Sequence, residues 1–252
     1  MKWTLCALTV IFISIPLWGQ EFSKAIEDNS FFIEEAYNQE DRVVQHIFTG
    51  AGGSGFPSND ISFTQEWPFL TQTHQLSYTI PYFVYNNFDG IGDILLNYRY
   101  QLVNENSIAV APRFSLILPT GDEIQGLGDG VVGIQFNMPV SKRWVDEFVT
   151  HFNAGFTLLP NVDIFRRKEN ITTYFVGASG IILASPKSNI MLEALYSSTN
   201  GSEEFILNPG LRFAIDIDEL QIVPGLAFPF YFYPSGRSEN GVFLYLSFEH
   251  PF

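Results

Sequence analysis

Residues Gly90-Ile91-Gly92-Asp93 open a stretch, residues 90–102, whose pattern returns at residues 126–138. In the first copy every second side chain is apolar or aromatic, and those between are largely polar; the apolar set is Ile94, Leu96, Tyr98, Tyr100 and Leu102. A period of two residues is that of a β-strand, whose successive side chains point to opposite faces. Because nearly every later segment alternates in the same way, the sequence predicts an all-β protein of many antiparallel strands.

The composition favours one large β-domain that does not bind nucleic acid. The chain has 252 residues, of which 46% are hydrophobic, 16% aromatic and 16% charged. The charged fraction lies below the roughly 25% of soluble domains, and the abundant Phe and Tyr favour strands. The formal net charge is −14, whereas nucleic acid selects basic surfaces.

The first 42 residues differ from the rest of the chain. Residues 1–19 combine a positive start, an apolar core and a small residue at Gly19, which predicts a secretory signal peptide cleaved before Gln20. The one cysteine, Cys6, lies in this segment, so the mature chain is expected to contain none. Residues 20–42 are acidic and have two open interpretations: a loosely ordered periplasmic leader, which the sequence favours, or a plug in a barrel mouth. Ser30 is a candidate N-cap for a short helix that ends near Gln39.

From residue 43 onward the alternation predicts a transmembrane, antiparallel, up-and-down β-barrel over residues 43–252. No apolar run after residue 19 approaches the ~20 residues of a membrane helix. Bacterial barrels have an even number of strands, and eleven segments alternate clearly. Residues 43–48 therefore provide a twelfth strand, and ten strands is the alternative. The lipid face is expected to carry aromatic side chains: Tyr98, Tyr100, Phe114, Phe136, Phe152, Phe156, Phe213 and Phe228.

The connections between the predicted strands alternate between long and short. Long connections, such as residues 161–170 and 197–204, are expected outside the cell, and short turns in the periplasm. The chain ends on Phe252, preceded by apolar residues at even spacing. This ending resembles the terminal strand of outer-membrane proteins, so the barrel-insertion machinery is an expected partner, together with outer-membrane lipid and lipopolysaccharide.

Three sequence features carry a family resemblance. They are the paired Gly-x-Gly-Asp strands, the run Leu118-Pro119-Thr120-Gly121-Asp122, and the run His151-Phe152-Asn153-Ala154-Gly155-Phe156. These resemble the outer-membrane β-barrel transporter family named after the MetA pathway of phenol degradation, over roughly residues 60–252. The resemblance implies a channel or transporter for small, including aromatic, compounds. It implies no set of functional residues, and the acidic leader lies outside the shared motifs.

Charged and ring-bearing side chains on the inward face are the candidates for lining a lumen. A charge left alone in a narrow lumen is costly, so these groups either form a structural ladder of ion pairs or line a hydrated solute path. The candidates are Asp93, Arg99, Arg113, Glu147, His151, Glu193, Arg212 and Glu249. Because the inward acids outnumber the arginines, weak cation preference is expected of a pore.

The sequence supports neither an enzyme nor a metal or cofactor site. His151 and Asn153 share one face of a strand, but nothing places a serine within reach, so a nucleophile–base pair is not specified. The four histidines share no ligand spacing. We therefore expect a passive outer-membrane channel for small solutes. A non-conducting barrel that binds a partner or organises the envelope is the alternative, ahead of a barrel hydrolase.

Overall fold

The computed structural model describes residues 30–54, 59–85, 88–105 and 107–252. These residues form one antiparallel sheet of 18 hydrogen-bonded segments, which closes into a barrel of 12 strands. The predicted barrel and the strand number of twelve are confirmed. The predicted signal peptide, residues 1–19, and the first part of the acidic leader, residues 20–29, lie outside the described residues.

The strands follow one another along the chain, and several of them are interrupted into shorter segments. They are β1 (Val43–Gly53), β2 (Asn59–Phe69), β3 (Thr71–Val84), β4 (Asp89–Ile91, Ile94–Tyr100 and Val103–Glu105), β5 (Ile108–Val110 and Arg113–Leu118), β6 (Gly133–Asn137 and Val140–Val145), β7 (Phe148–Ile164), β8 (Arg167–Ser185), β9 (Ser188–Thr199), β10 (Ser202–Phe213 and Ile215–Ile217), β11 (Leu220–Ala227 and Phe230–Phe232) and β12 (Ser238–Pro251).

The barrel closes where its first strand pairs with its last. The β1–β12 register runs from Val43 opposite Pro251 to Gly53 opposite Gly241, and every other strand pairs with its neighbours along the chain. Closure leaves the described strands without an open sheet edge. In lipid, no water would be present to hydrogen-bond the N–H and C=O groups of such an edge.

Proline accounts for several of the interruptions in the strands. Pro112, Pro139 and Pro229 each lie in a gap between two segments of one strand, because proline has no N–H to donate to the ladder. The wall stays continuous at these gaps, since the Ala111 amide donates to the Pro139 carbonyl at 3.2 Å and the Gly241 amide to the Pro229 carbonyl at 3.0 Å.

The two ends of the barrel differ. At the turn end, the connections are short, β1 begins and β12 ends. The opposite end, the loop end, carries the long connection of residues 119–132 between β5 and β6. The long loops predicted at residues 161–170 and 197–204 are wrong, because β7 to β10 continue through those residues to the tight turns Phe165–Arg166 and Asn200–Gly201. All four turn residues have positive φ, the conformation of a two-residue hairpin turn.

The outer wall of the barrel is apolar. Six of the eight aromatic residues predicted for the lipid face are exposed: Tyr98, Tyr100, Phe114, Phe152, Phe213 and Phe228. The other two, Phe136 and Phe156, pack together with ring centroids 6.1 Å apart. An exposed apolar surface of this extent is foreign to soluble monomers, whereas it suits contact with lipid.

Within the part of the chain that the structure describes, no helix is long and apolar enough to cross a membrane.

Arginine on the outer wall should destabilise the barrel in lipid. Leu96, on the exterior of β4, is 46% exposed. We expect Leu96→Arg, and Ile134→Arg on β6, each to cost about 2–4 kcal/mol in urea folding titrations in lipid vesicles, the cost of a cation near mid-membrane. Leu96→Ala separates lost packing from added charge. If both arginine variants are as stable as the native chain, the assignment of the lipid face is reversed.

The two ends of the barrel should differ in their access from outside the cell. We expect Ser235→Cys, in the loop-end connection between β11 and β12, to react with an impermeant thiol reagent on whole cells. Lys187→Cys, in the turn-end connection between β8 and β9, should react only after the outer membrane is permeabilised. The opposite pattern would invert the orientation.

Candidate functional site

The lumen contains an extended piece of the chain itself, Ser30–Gln39, which we call the plug segment. Most of its residues are buried, and the chain leaves the lumen at the turn end, where Glu40 is exposed and β1 begins. The helix predicted from Ser30 to Gln39 is wrong, since these residues form bends and extended chain. Ser30 does not cap a helix; its hydroxyl donates to Ser179 Oγ at 2.7 Å. Of the 20–42 leader, the part that the structure describes therefore enters the lumen.

The carboxylate of Glu193, on β9, holds the start of the plug segment. The amides of Phe31, Phe32 and Ile33 all donate to its Oε1, at 2.9, 2.9 and 3.0 Å. Asn208 Nδ2 donates to the other oxygen at 2.6 Å. Consecutive amides that converge on one oxygen form an anion-binding nest. Glu193 is fully buried, so these charge-assisted hydrogen bonds replace the water that the carboxylate has lost.

Four further plug amides are bound by side chains from other strands. Glu34 donates to Asn153 Oδ1 at 2.8 Å, Ala36 to Ser141 Oγ at 2.7 Å, Asn38 to Gln101 Oε1 at 2.9 Å and Gln39 to Gln75 Oε1 at 2.7 Å. The lumen wall thus provides the acceptors that a helix or a sheet would otherwise provide for buried amides. This explains why the segment needs no secondary structure of its own.

The apolar side chains of the plug segment fit against the smallest residues of the wall. A side chain at Gly177 would overlap with Ile33, and one at Gly210 would overlap with Phe31. The Phe31 ring also packs edge-on against Phe243, with centroids 5.5 Å apart. The glycines at these inward positions therefore make the space that the plug segment fills.

Glu34 connects the middle of the plug segment to two arginines of the wall. Its Oε2 lies 3.2 Å from Arg99 Nη2 and its Oε1 lies 2.5 Å from Arg113 Nη2. Arg99 Nη1 also donates to the Tyr37 carbonyl at 3.1 Å, and Arg113 Nη1 donates to Asn97 Oδ1 at 2.9 Å. One carboxylate is thus held between two guanidinium groups.

Two of the cavities bounded by described residues lie on opposite sides of the plug segment. The loop-side cavity, of about 320 Å³, is bounded by Ser30–Glu34 and by side chains of β1 to β5, including Arg99 and Arg113. The turn-side cavity, of about 360 Å³, is bounded by residues 35–40 and by polar side chains near the barrel end, including Glu219 and Glu249. The plug segment therefore borders both cavities.

The sequence-predicted lumen residues fall into separate groups. Arg99 and Arg113 meet at Glu34, and Glu193 binds the plug amides. Arg212 is also buried in the lumen, with its guanidinium 5.5 Å from the centre of the Tyr245 ring. Glu249 lies at the turn end, where its Oε1 accepts a hydrogen bond of 2.5 Å from Gln45 Nε2.

Glu147 lies at the turn end of the barrel, and its predicted place in the lumen lining stays a prediction. Glu147 belongs to the turn between β6 and β7, and β7 begins only at Phe148. The alternation would direct its side chain inward if the strand extended that far.

Asp93 binds a loop at the barrel mouth. Its Oδ1 accepts from the Gly121 amide at 2.9 Å and its Oδ2 from the Asp129 amide at 2.8 Å. The two Gly-x-Gly-Asp copies therefore contact each other, with Asp93 of the first copy bound to the second. Burial and the nearby charge of Asp93 raise the pKa of the Asp129 carboxyl in this loop.

His151 has a serine neighbour that the sequence did not identify. Ser141 Oγ lies 2.6 Å from His151 Nδ1 and accepts the Ala36 amide, so its hydroxyl proton is free to point at the histidine. Both residues are fully buried and line neither cavity. Asn153 binds Glu34 instead of His151. Within the described part of the chain, His151 Nε2 has no hydrogen-bond partner, so no third group of the kind that orients a catalytic histidine is seen there.

The sequence interpretation missed the uncharged side chains that accept the plug amides. It also missed the Glu34 carboxylate, which pairs with Arg99 and Arg113. Gln75, Gln101 and Asn153 are uncharged inward residues, whereas the predicted lumen residues were chosen for charge or a ring. The sequence did contain a signal for them, because an amide side chain on the inward face of a strand is buried and needs a hydrogen-bond partner. Among the described residues, no group of three or more His, Cys, Asp or Glu side chains is placed to hold a metal ion.

Comparison with known proteins gives relatives by structure but not by sequence. No family model and no curated protein matches the chain. The NanC porin matches with a TM-score of 0.62 at 10% identity, over 81% of this chain and 98% of that one. The COG4313 outer membrane channel from Pseudomonas putida F1 gives 0.60 at 13%, over 90% and 100%. The KdgM porin gives 0.56 at 9%, over 82% and 99%. The likeness is one of fold. The fold is that of known outer-membrane channel barrels.

Removal of the Glu193 carboxylate should release the plug segment. Hydrogen bonds to a charged group are worth ~1.5–3 kcal/mol each, and Glu193→Ala removes those to three plug amides. We expect chymotrypsin to cleave after Phe31 or Phe32 at least about tenfold faster in this variant, a change of ~1.4 kcal/mol in docking. Glu249→Ala, which removes a different lumen acid, at the turn end of the barrel and bound to Gln45, is the matched control. Equal cleavage in both variants would contradict the anchoring role of Glu193.

Proposed function

We propose that this chain is an outer-membrane channel for the passive passage of small solutes, including hydrophobic or aromatic compounds, and that it is not an enzyme. The observation that carries the proposal is the pair of cavities, of about 320 and 360 Å³, on the two sides of the plug segment. A cavity of roughly 150 Å³ is enough for a benzene molecule. A solute of that size has room on both sides of the barrier, and movement of the plug segment joins the two spaces.

The proposed location follows from the outer wall and the fold. The exposed aromatic band suits outer-membrane lipid and lipopolysaccharide as surroundings. The proposal places both ends of residues 43–252 in the periplasm, after export through the cleaved signal peptide. Phe252, which is 67% exposed after the end of β12, is proposed to be read by the barrel-insertion machinery. The resemblance to the family named after the MetA pathway of phenol degradation supports aromatic compounds among the solutes.

A non-conducting barrel is the second candidate. It is favoured by the number of plug amides bound to the wall, since seven of them have side-chain acceptors. A segment held in this way closes a lumen firmly. The two candidates differ in whether the plug segment moves under working conditions.

A disulfide between the plug segment and the wall separates the two candidates. Ser30 Oγ and Ser179 Oγ are 2.7 Å apart, a distance that a cystine bridges with little movement. We expect the oxidised Ser30→Cys/Ser179→Cys variant to show little conductance in a planar bilayer. Reduction should restore the steady conductance of the native protein. The disulfide should block conductance because it prevents the movement of the plug segment that passage requires.

Two further samples complete this experiment. The single variant Ser179→Cys, treated with the same oxidant, should conduct like the native chain. A protein without residues 20–42 should conduct more than the native one. Silence of the native chain, of the reduced double variant and of the truncated protein would reject the channel in favour of the non-conducting barrel.

A further inference from the structure

The loop-side cavity is bounded on one side by an ion pair between the plug segment and the barrel wall. Arg99 and Arg113 line this cavity together with Glu34, and the two arginines hold the Glu34 carboxylate between them, with N–O distances of 3.2 and 2.5 Å. Glu34 belongs to the plug segment, whereas both arginines belong to the barrel wall. When the plug segment moves, the arginines remain and the carboxylate leaves.

The arginines retain donors beyond those that Glu34 uses. In the described part of the chain, the Nε atoms of Arg99 and Arg113 are buried and have no hydrogen-bond partner. A buried cation without its counter-ion is costly. Departure of Glu34 therefore leaves two buried guanidinium groups that favour another anion, and guanidinium binds a carboxylate with geometric specificity.

Part of the barrel wall around this cavity is suited to an apolar body. Phe243 and Tyr245, which stay in place when the plug segment moves, line one part of it, and Thr64 and Thr79 line another. The two threonine hydroxyls bind each other at 2.9 Å, so they present their methyl groups and a satisfied polar pair rather than free charge. A flat ring with a carboxylate on one side matches this combination of arginines and aromatic side chains.

We propose that Arg99 and Arg113 form the binding site for the carboxylate of a small aromatic monoacid, and that Glu34 occupies this site as an internal competitor. This deepens the proposed channel function, on which it rests, by naming the solute class. Exchange of Glu34 for a monocarboxylate leaves the number of negative charges between the arginines unchanged. A dianion adds a charge beside Glu66, which lines the same cavity. A neutral ring leaves one positive charge uncompensated, because Glu66 offsets only one of the two arginines.

Benzoate is the probe, and equilibrium binding to the purified full mature chain is the measurement. Glu34→Gln keeps the size of the competitor and removes its charge, so we expect benzoate to bind about tenfold tighter to it than to the native protein, a difference of ~1.4 kcal/mol. Benzyl alcohol, the neutral analogue, should show no such gain. Arg113→Gln, in the native or the Glu34→Gln background, should abolish benzoate binding.

Two variants keep the interpretation specific. Arg212→Gln removes another buried lumen arginine that does not contact Glu34, and it should bind benzoate like the native chain. Arg113→Lys keeps the charge but loses the planar fork, and it should weaken benzoate binding at least severalfold. If Arg113→Gln does not fold, the lysine variant decides the question.

The inference is overturned if Glu34→Gln does not bind benzoate more tightly, if benzyl alcohol gains equally, or if Arg113→Lys binds as well as the native chain. The binding assay does not depend on conductance, so the two proposals fail separately. If the barrel conducts but the Glu34→Gln variant does not bind benzoate more tightly, only the proposed carboxylate site is rejected. If the barrel binds benzoate but does not conduct, even without residues 20–42, the proposed channel function is rejected.

Discussion

The structure depends on one buried carboxylate and the three backbone amides that converge on it. The Glu193 carboxylate accepts hydrogen bonds from the N–H groups of Phe31, Phe32 and Ile33 and from the Asn208 amide. The dependence is mutual. Without the plug segment, Glu193 would be a lone charge in a narrow lumen, and without Glu193, three amides of an extended chain would be buried unpaired. Plug and barrel therefore stabilise each other through this contact.

The same contact fixes the charge pattern of the lumen. With Phe31–Ile33 docked, Glu34 is placed between Arg99 and Arg113, so both arginines are paired on the loop side of the plug segment. The cation preference expected from the sequence counted the inward acids of the wall, but it did not count Glu34 or the amides that neutralise Glu193. We replace it, for the loop-side cavity, by a preference for monocarboxylates that appears when Glu34 leaves. Selectivity in this account belongs to the plug and the wall together.

The sequence predicted the wall well because a strand's faces are set by a local rule. Side chains alternate, lipid selects one face, and so Leu96 and Phe114 could be placed outside, and Arg99 and Glu193 inside, without a structure. Predictions failed where the strand ends or where the partner is distant in sequence. The strands continue through residues 161–170 because the hairpin turn between them adopts positive φ, which composition does not reveal.

The plug segment could not be placed from the sequence, because its conformation is dictated by contacts with residues 36 to 162 positions away in the chain. The central claim, that Glu193 holds a docked plug in the membrane-embedded barrel, is tested most directly by amide hydrogen exchange of the native chain in lipid vesicles. The account predicts that the amides of Phe31, Phe32 and Ile33 exchange as slowly as those of the neighbouring strands. Exchange of these three amides at the rate of an unfolded peptide, while the strands remain protected, would contradict it.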